Sequence, residues 1–252
     1  MKSNLFWLSD EQWARIEPHL PTDVRGKPRV DDRRVISGIL HVLKIGCRWI
    51  DLPPEYGPST TIYNRFVRWA ERGVWEELFN ALSGRGRSTH TQMIDSTHVE
   101  AHRSASGGEG GEENQAVGRS RGGRNTKIHG ITDAKGRLPS FVLTGGEAHD
   151  CPVGVELIEE SKPAEVLLAD KGYDSAELRR QLEDQGTKAV IPNRSNRKKK
   201  YRFDKKQYRY RHRIENAWCR LKDFRRIATR YDKLALVYCA SVHLVATIAW
   251  WV

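Results

Sequence analysis

The stretch YRYRHRIENAWCRLK, Tyr208–Lys222, decides how the rest of the chain is read. It contains neither Gly nor Pro, and one acidic residue, Glu215, stands in a field of base. At about 100° per residue, a helix puts Tyr208 near +20°, Arg211 near −40° and Lys222 near −20° of Glu215, so the four share one face. Ile214, Trp218 and Leu221 form an adjoining apolar stripe, and His212, Arg213, Asn216, Arg220 and Asp223 take the polar side. The helix is therefore expected to pack by one edge and to present a carboxylate flanked by a phenol, a guanidinium and an ammonium. Such a set suits a metal ion together with phosphates. It also suits a solvated face with ordinary i,i+4 ion pairs, such as Arg211 with Glu215.

Charge is distributed unevenly around this stretch. The 252 residues carry 43 Lys and Arg against 32 Asp and Glu, a net charge of +11. Between Lys188 and Lys233 there are 18 Lys and Arg against 4 acidic residues, a local +14, so the remainder is slightly acidic. Base concentrated in this way points to a polyanion, with nucleic acid the default. The four cysteines, Cys47, Cys151, Cys219 and Cys239, are scattered and form no C-x-x-C pair, which suggests neither a zinc site nor a disulfide scaffold and fits a reducing, cytoplasmic compartment. The N-terminus turns polar too early for a signal peptide. Leu234–Val252 has no charged residue, yet its Ser241, His243 and Thr247 and the lack of a polar flank read as a buried core helix rather than a membrane span.

Residues 1–88 read as an all-helical domain. Ser9-Asp10-Glu11 opens one helix, ended by Pro18 and Pro21; Asp31-Asp32 opens a second; Ser59-Thr60 caps a third; WEELFNAL follows Gly73 as a fourth. Short helices around the turn GCRWIDLPPEYGPS, with Tyr63, Asn64, Arg65 and Arg68 on the third, resemble a helix-turn-helix DNA reader, or a plain dimerisation or packing unit. Residues 86–91 read as a linker. From 89 to 252 an α/β domain is expected. Gln92–Val99 is a strand with Asp95 inside it, and residues 104–126 are a Gly/Ser/Arg-rich flexible loop, or an insertion that orders on DNA. Lys127–Thr132 and Leu138–Thr144 form a hairpin; Pro152–Glu160 is a helix. Glu165–Ala169 is a buried strand ending at Asp170, Ser175 caps a helix, and Lys188–Ile191 is a further strand before the basic loop Asn193–Lys206. This order gives a mixed sheet flanked by helices.

Asp95, Asp170 and Glu215, in that order, resemble the DDE triad of bacterial insertion-sequence transposases. The spacing Tyr208-x2-Arg211-x3-Glu215-x6-Lys222 matches the C-terminal motif of those enzymes at every fixed position. IDSTHVEAHRSA, RGGRNTKIH, LTGGEAHD, LLADKGYDS, RRIATRYDKLA, GCRWIDLPPEYGP and TTIYNRFVRW are similar to the IS-five-like family, so the likeness runs nearly end to end.

The resemblance implies a ribonuclease-H-like catalytic core and two Mg²⁺ (or Mn²⁺) ions held by Asp95, Asp170 and Glu215. It implies metal-dependent phosphodiester hydrolysis at the element's ends, then 3′-OH strand transfer into target DNA, by a homodimer or larger assembly on double-stranded DNA near the nucleoid. Arg211 and Lys222 read as phosphate contacts, because guanidinium and ammonium bind anions. Tyr208 joins them or only packs the helix. Lys171, Arg194, Arg197, Lys198, Lys199 and Lys200, with Arg65 and Arg68 of the N-terminal helices, complete the expected DNA contacts. Taken singly, Asp95 also reads as a strand-end cap, Asp170 as a turn residue and Glu215 as an ion-pair partner. Two other functions remain open: an inactive transposase-derived DNA-binding protein or repressor, and a nuclease on the same core. No G-x-x-x-x-G-K-[ST] run marks a nucleoside-triphosphate site.

Overall fold

The computed structural model describes residues 5–22, 31–84 and 90–252. Along the chain run α1 (Asp10–Ile16), α2 (Asp32–Ile45), α3 (Ser59–Glu71), α4 (Val74–Ser83), β1 (Thr91–Ala101), α5 (Gly111–Asn114), β2 (Gly118–Ser120), β3 (Gly123–Asp133), β4 (Ser140–Gly145), α6 (Asp150–Glu159), β5 (Val166–Leu168), α7 (Ala176–Asp184), β6 (Lys188–Val190), α8 (Lys205–Tyr208), α9 (His212–Lys222), α10 (Arg225–Ala228) and α11 (Ala235–Trp250). The chain separates into two units. One holds the described residues up to Ser83 with His102–Glu109 and Leu221–Val252; the other holds those from His90 to Ala101 and Gly110–Arg220. Apart from His90 and Thr91, the expected linker 86–91 lies outside the described residues, as does the expected boundary at residue 88.

In the first unit local chemistry sets the helix starts. Ser9 Oγ accepts from the Gln12 N–H and Gln12 Oε1 accepts from the Ser9 N–H, a reciprocal cap for α1. Asp31 caps α2 by accepting from the Arg34 N–H, and Gly46 ends it with φ 81°, where a Cβ would come within 2.8 Å of Arg225 Cβ. The connection to α3 is longer than the tight turn expected, with 3₁₀ turns at Trp49–Asp51 and Pro54–Tyr56. Pro58, not Ser59, sits at the N-cap of α3 and offers no side-chain acceptor. The apolar sides of α2, α3, α4 and α11 make the core. Trp75 lies 5.1 Å from Trp69 and 5.9 Å from Phe66, and its indole N–H donates to the Phe66 carbonyl. In α11, Ser241 and Thr247 donate to the Val237 and His243 carbonyls one turn back, which lets these hydroxyls be buried. Among the described residues no helix is long and apolar enough to cross a membrane.

The second unit is built on one mixed sheet. β3 pairs antiparallel with β1 and, on its other edge, with β4 and the short β2; β5 lies parallel to β1, and β6 parallel to β5. The order β4-β3-β1-β5-β6 is the mixed, ribonuclease-H-like arrangement expected. Ile94 and Ile131 on the sheet pack with Leu157 and Ile158 of α6, Leu178 and Leu182 of α7, and Tyr173.

Two expectations are corrected here. Residues 104–126 are not a loop throughout. They contain α5, β2 and the start of β3, closed by a turn with Gly123 at φ 97° and tied by Thr126 Oγ1 to the Ala116 carbonyl and by Arg124 to Glu112. The helix expected over Tyr208–Lys222 is also interrupted. Asp204 caps α8, a 3₁₀ turn covers Arg209–Arg211, and α9 begins at His212, whose Nδ1 lies 2.7 Å from the Arg209 carbonyl. The Tyr208 ring meets Phe203 edge-on, and Tyr208 stays within electrostatic reach of Arg211.

Beyond β5, Asp170 accepts from the Gly172 N–H at 2.7 Å and so starts a 3₁₀ turn, Lys171–Tyr173. Asp174, 3% exposed, holds that turn to the basic loop. It accepts from Arg179 Nε (2.7 Å), Arg197 Nε (2.6 Å) and the Arg194 N–H (2.8 Å), while Arg194 donates to the Lys171 and Gly172 carbonyls. Burial works to raise the Asp174 pKa, but the bonds from Arg197, the Arg194 N–H and Arg179 outweigh it and hold the carboxyl below its ordinary range. A depressed folded pKa contributes stability that is present above the unfolded value and lost as pH falls through the folded one. Asp174→Ala should therefore cost about 3 kcal/mol in urea unfolding at neutral pH, and the difference from the parent protein should shrink as the pH is lowered below the ordinary carboxylate range.

Candidate active site

Asp95 stands mid-strand in β1, and the residue directly opposite it on β3 is Gly130. A Cβ at Gly130 would lie 2.7 Å from the Trp218 ring and 2.7 Å from Leu138 Cδ1. The missing side chain is what lets α9 approach the sheet at this point. The start of α9 is held too: Arg213 donates to the Ala134 carbonyl in the β3–β4 turn. In that turn the Asp133 carboxylate accepts from the Lys135 and Arg137 N–H groups. Sheet and helix thus meet at two places, and the residues between them are brought over Asp95.

The bridging group is Arg211. Its Nη1 is 3.3 Å from Asp95 Oδ2, and its Nη2 donates to Glu215 Oε1. Burial raises the Asp95 pKa above the ordinary carboxylate value. Arg211, the Ser96 N–H and the Trp218 indole oppose that rise, and the Asp170 charge adds to it. The Trp218 N–H itself is buried without a well-formed hydrogen bond, although it leans toward Asp95 closely enough to favour the ionised form. Asp170 is felt electrostatically at both Asp95 and Arg211. The Glu215 side chain is 53% exposed, so the site opens to solvent on that side. The donors are all hard carboxylate oxygens, a set that fits Mg²⁺ or Mn²⁺. Among the described residues, however, no three Asp, Glu, His or Cys side chains lie at metal-holding spacing, and a guanidinium stands between two of the carboxylates.

Behind Asp95, on the other face of the sheet, is a polar cluster that sequence reasoning missed. Ser96 donates to Asp150 Oδ1 at 2.8 Å, Lys127 Nζ donates to the same oxygen at 3.0 Å and to the Ala148 carbonyl at 2.7 Å, and His129 Nδ1 is 3.7 Å from it. Burial lowers the His129 pKa to about 4, so it is neutral at pH 7 and pairs through Nε2 with Thr144 Oγ1. The signal available in sequence was alternation: Lys127 and His129 share a face of β3 with Ile131.

The expected DNA contacts divide by exposure. Arg65 is corrected: it is 6% exposed, paired with Asp32 of α2 and set 5.1 Å from the Trp69 ring, so its guanidinium is spent inside the helical unit. Tyr63, Asn64 and Arg68 on α3 are exposed. Arg194 and Arg197 use their donors on the Asp170–Asp174 turn, whereas Lys171, Lys198, Lys199 and Lys200 are exposed. Lys222 is half-buried as the last residue of α9. Gly130→Ala tests the helix–sheet approach. The added methyl should overpack Trp218 and Leu138 and destabilise the protein by roughly 1–3 kcal/mol, read by chemical denaturation, with the Trp fluorescence of the folded state shifted.

Two family models match the chain: "Putative transposase of IS4/5 family" over residues 8–79 and "Transposase DDE domain" over residues 88–251. A Brucella ovis protein named "Putative transposase for insertion sequence element IS6501" is 32% identical over 135 residues, spanning 50% of this chain and 97% of the relative. The uncharacterized protein y4sN of Sinorhizobium fredii is 38% identical over 102 residues, spanning 40% of this chain and 81% of the relative. Among solved structures, piggyBac transposase in a synaptic complex with hairpin DNA superposes with a TM-score of 0.52 at 10% identity, over 94% of this chain and 69% of that one. At that identity the likeness bears on fold alone.

Proposed function

The chain belongs to the DDE transposases of insertion sequences, and we propose that Asp95, Asp170 and Glu215 are its catalytic carboxylates. The function is DNA transposition, and the enzyme class uses divalent metal. The observation that carries the assignment is the meeting of Asp95, from the sheet, and Glu215, from α9, on one guanidinium, with Asp170 in electrostatic reach of both Asp95 and Arg211. Nothing local in the sequence draws these carboxylates together.

In this reading the three side chains would hold two Mg²⁺ or Mn²⁺ ions, which when bound supply an activated nucleophile and neutralise the leaving oxygen. Water attacks the phosphorus at the element's end, breaking the P–O3′ bond and leaving a 3′-OH. That hydroxyl then attacks a target phosphorus, forming one phosphodiester as another breaks, so no external energy source is needed. The residues of the chain position and neutralise. Asp170 is held by its own turn at Gly172 and braced by Asp174. Arg211, Lys222, Lys171 and Lys198–Lys200 balance phosphate charge on double-stranded DNA. The exposed edge of α3, with Tyr63, Asn64 and Arg68, reads the inverted-repeat ends, and a homodimer or larger assembly brings two ends together in the cytoplasm.

Glu215→Gln keeps the side chain's shape and removes its charge. With Mg²⁺ and a donor DNA carrying the element's ends, end cleavage and strand joining should fall at least ~100-fold, while retention of duplex DNA in a gel-shift assay stays within about twofold. Joining at the parent rate would overturn the assignment. A second test concerns the basic loop. Replacing Lys198, Lys199 and Lys200 together by Ala should weaken DNA binding irrespective of sequence and flatten the dependence of log K on log salt by up to about 0.9 for each lost contact. An unchanged slope removes the loop from the DNA path.

A further inference from the structure

We infer that Arg211 is a built-in substitute for the metal cation: it holds Asp95 and Glu215 together in the metal-free protein and is displaced, toward DNA phosphate, when metal binds. The inference rests on the proposed metal-binding role of those carboxylates and adds a role to Arg211 beyond phosphate contact. Three observations carry it. First, a single guanidinium spans both carboxylates, Nη1 to Asp95 Oδ2 at 3.3 Å and Nη2 to Glu215 Oε1. Second, Arg211 is largely withdrawn from solvent, with 18% of its side chain exposed. Third, among the described residues no three metal-ligating side chains are already at coordination spacing.

The physical argument is one of exclusion. Two carboxylates facing each other across a half-buried gap repel unless a cation stands between them. A guanidinium remains charged at any pH at which the protein is folded, so in the absence of metal it is a permanent counterion. A divalent ion held by Asp95 and Glu215 would meet the guanidinium as a like charge, and that repulsion is strong where water is partly excluded. Both cations cannot keep the position. Arg211 belongs to the 3₁₀ turn Arg209–Arg211 ahead of α9, so its side chain can leave while α9 stays docked through Trp218 and Arg213. Once released, its donors are free for a phosphate. Metal binding and DNA grip become linked, each favouring the other.

The test is Mn²⁺ binding to the full chain without DNA, followed by the electron paramagnetic resonance signal of free Mn²⁺. Arg211→Ala removes the competing cation and should bind Mn²⁺ about tenfold more tightly than the parent protein, and Mn²⁺ should raise its melting temperature by more. Arg211→Gln, which keeps the length of the side chain, reports the same quantity if the alanine variant does not fold. Arg211→Lys should stay near the parent affinity. Adding a short duplex should tighten Mn²⁺ binding to the parent protein and leave the Arg211→Ala value nearly unchanged. If Glu215→Gln weakens Mn²⁺ binding while Arg211→Ala and Arg211→Gln leave it equal or weaker, the substitute role is wrong and the metal site stands. If Glu215→Gln changes nothing, the metal site itself is wrong, and the inference goes with it.

Discussion

The close approach of α9 to β3 at Gly130 is the contact on which the candidate site depends. A helix normally stands off a sheet by the thickness of two side-chain layers. Here one layer is missing on the sheet side, and the Trp218 ring fills the gap against bare backbone. Buried aromatic area of this kind contributes roughly 1.5–3 kcal/mol, but its geometric effect matters more. It sets the height of α9 above Asp95, and so whether Arg211 and Glu215 can reach that carboxylate at all. The Arg213 bond to the Ala134 carbonyl fixes the other end of the same seam.

Charge is handled differently on the two faces of the sheet. On the α9 face, Asp95 and Glu215 share one guanidinium, and the site opens to solvent on the Glu215 side. On the α6 face, Asp150 is bound by Lys127 and Ser96, with His129 kept neutral by burial. Removing one member there would strand a buried charge, so that face is suited to rigidity. The turn carrying Asp170 follows the same logic: Asp174 collects three donors on its buried carboxylate, so Asp170 begins a turn with little freedom.

Much of the fold was legible in local patterns. Ser9, Asp31 and Ser175 cap helices as read, because a side-chain acceptor next to free backbone N–H groups is a purely local device. The turn at Asp133–Gly136 and the strands on either side follow from the same kind of signal. Expectation and structure part where distant residues compete with local ones. Residues 104–126, rich in Gly and Ser, form α5 and a hairpin because Arg124 meets Glu112 and Thr126 reaches the Ala116 carbonyl. Arg65 looked like a surface reader on a helical face, but Asp32 of another helix takes its charge into the core. Periodicity predicted one unbroken helix over Tyr208–Lys222, and a 3₁₀ turn with His212 folded back on Arg209 interrupts it.

By itself the sequence determined the order and type of most elements and the concentration of base between Lys188 and Lys233, and the resemblance to a family singled out Asp95, Asp170 and Glu215 as candidates. These depend on residue type and short-range periodicity, which a chain carries before it folds. Only the tertiary structure decided which cation stands between Asp95 and Glu215, which arginines are spent on Asp32 and Asp174, and how near α9 comes to the sheet. Those outcomes turn on pairs far apart in the chain, such as Arg211 with Asp95, Arg65 with Asp32 and Arg197 with Asp174. Their geometry follows from the absence of a side chain at Gly130 and the reach of one guanidinium, and no periodicity encodes either.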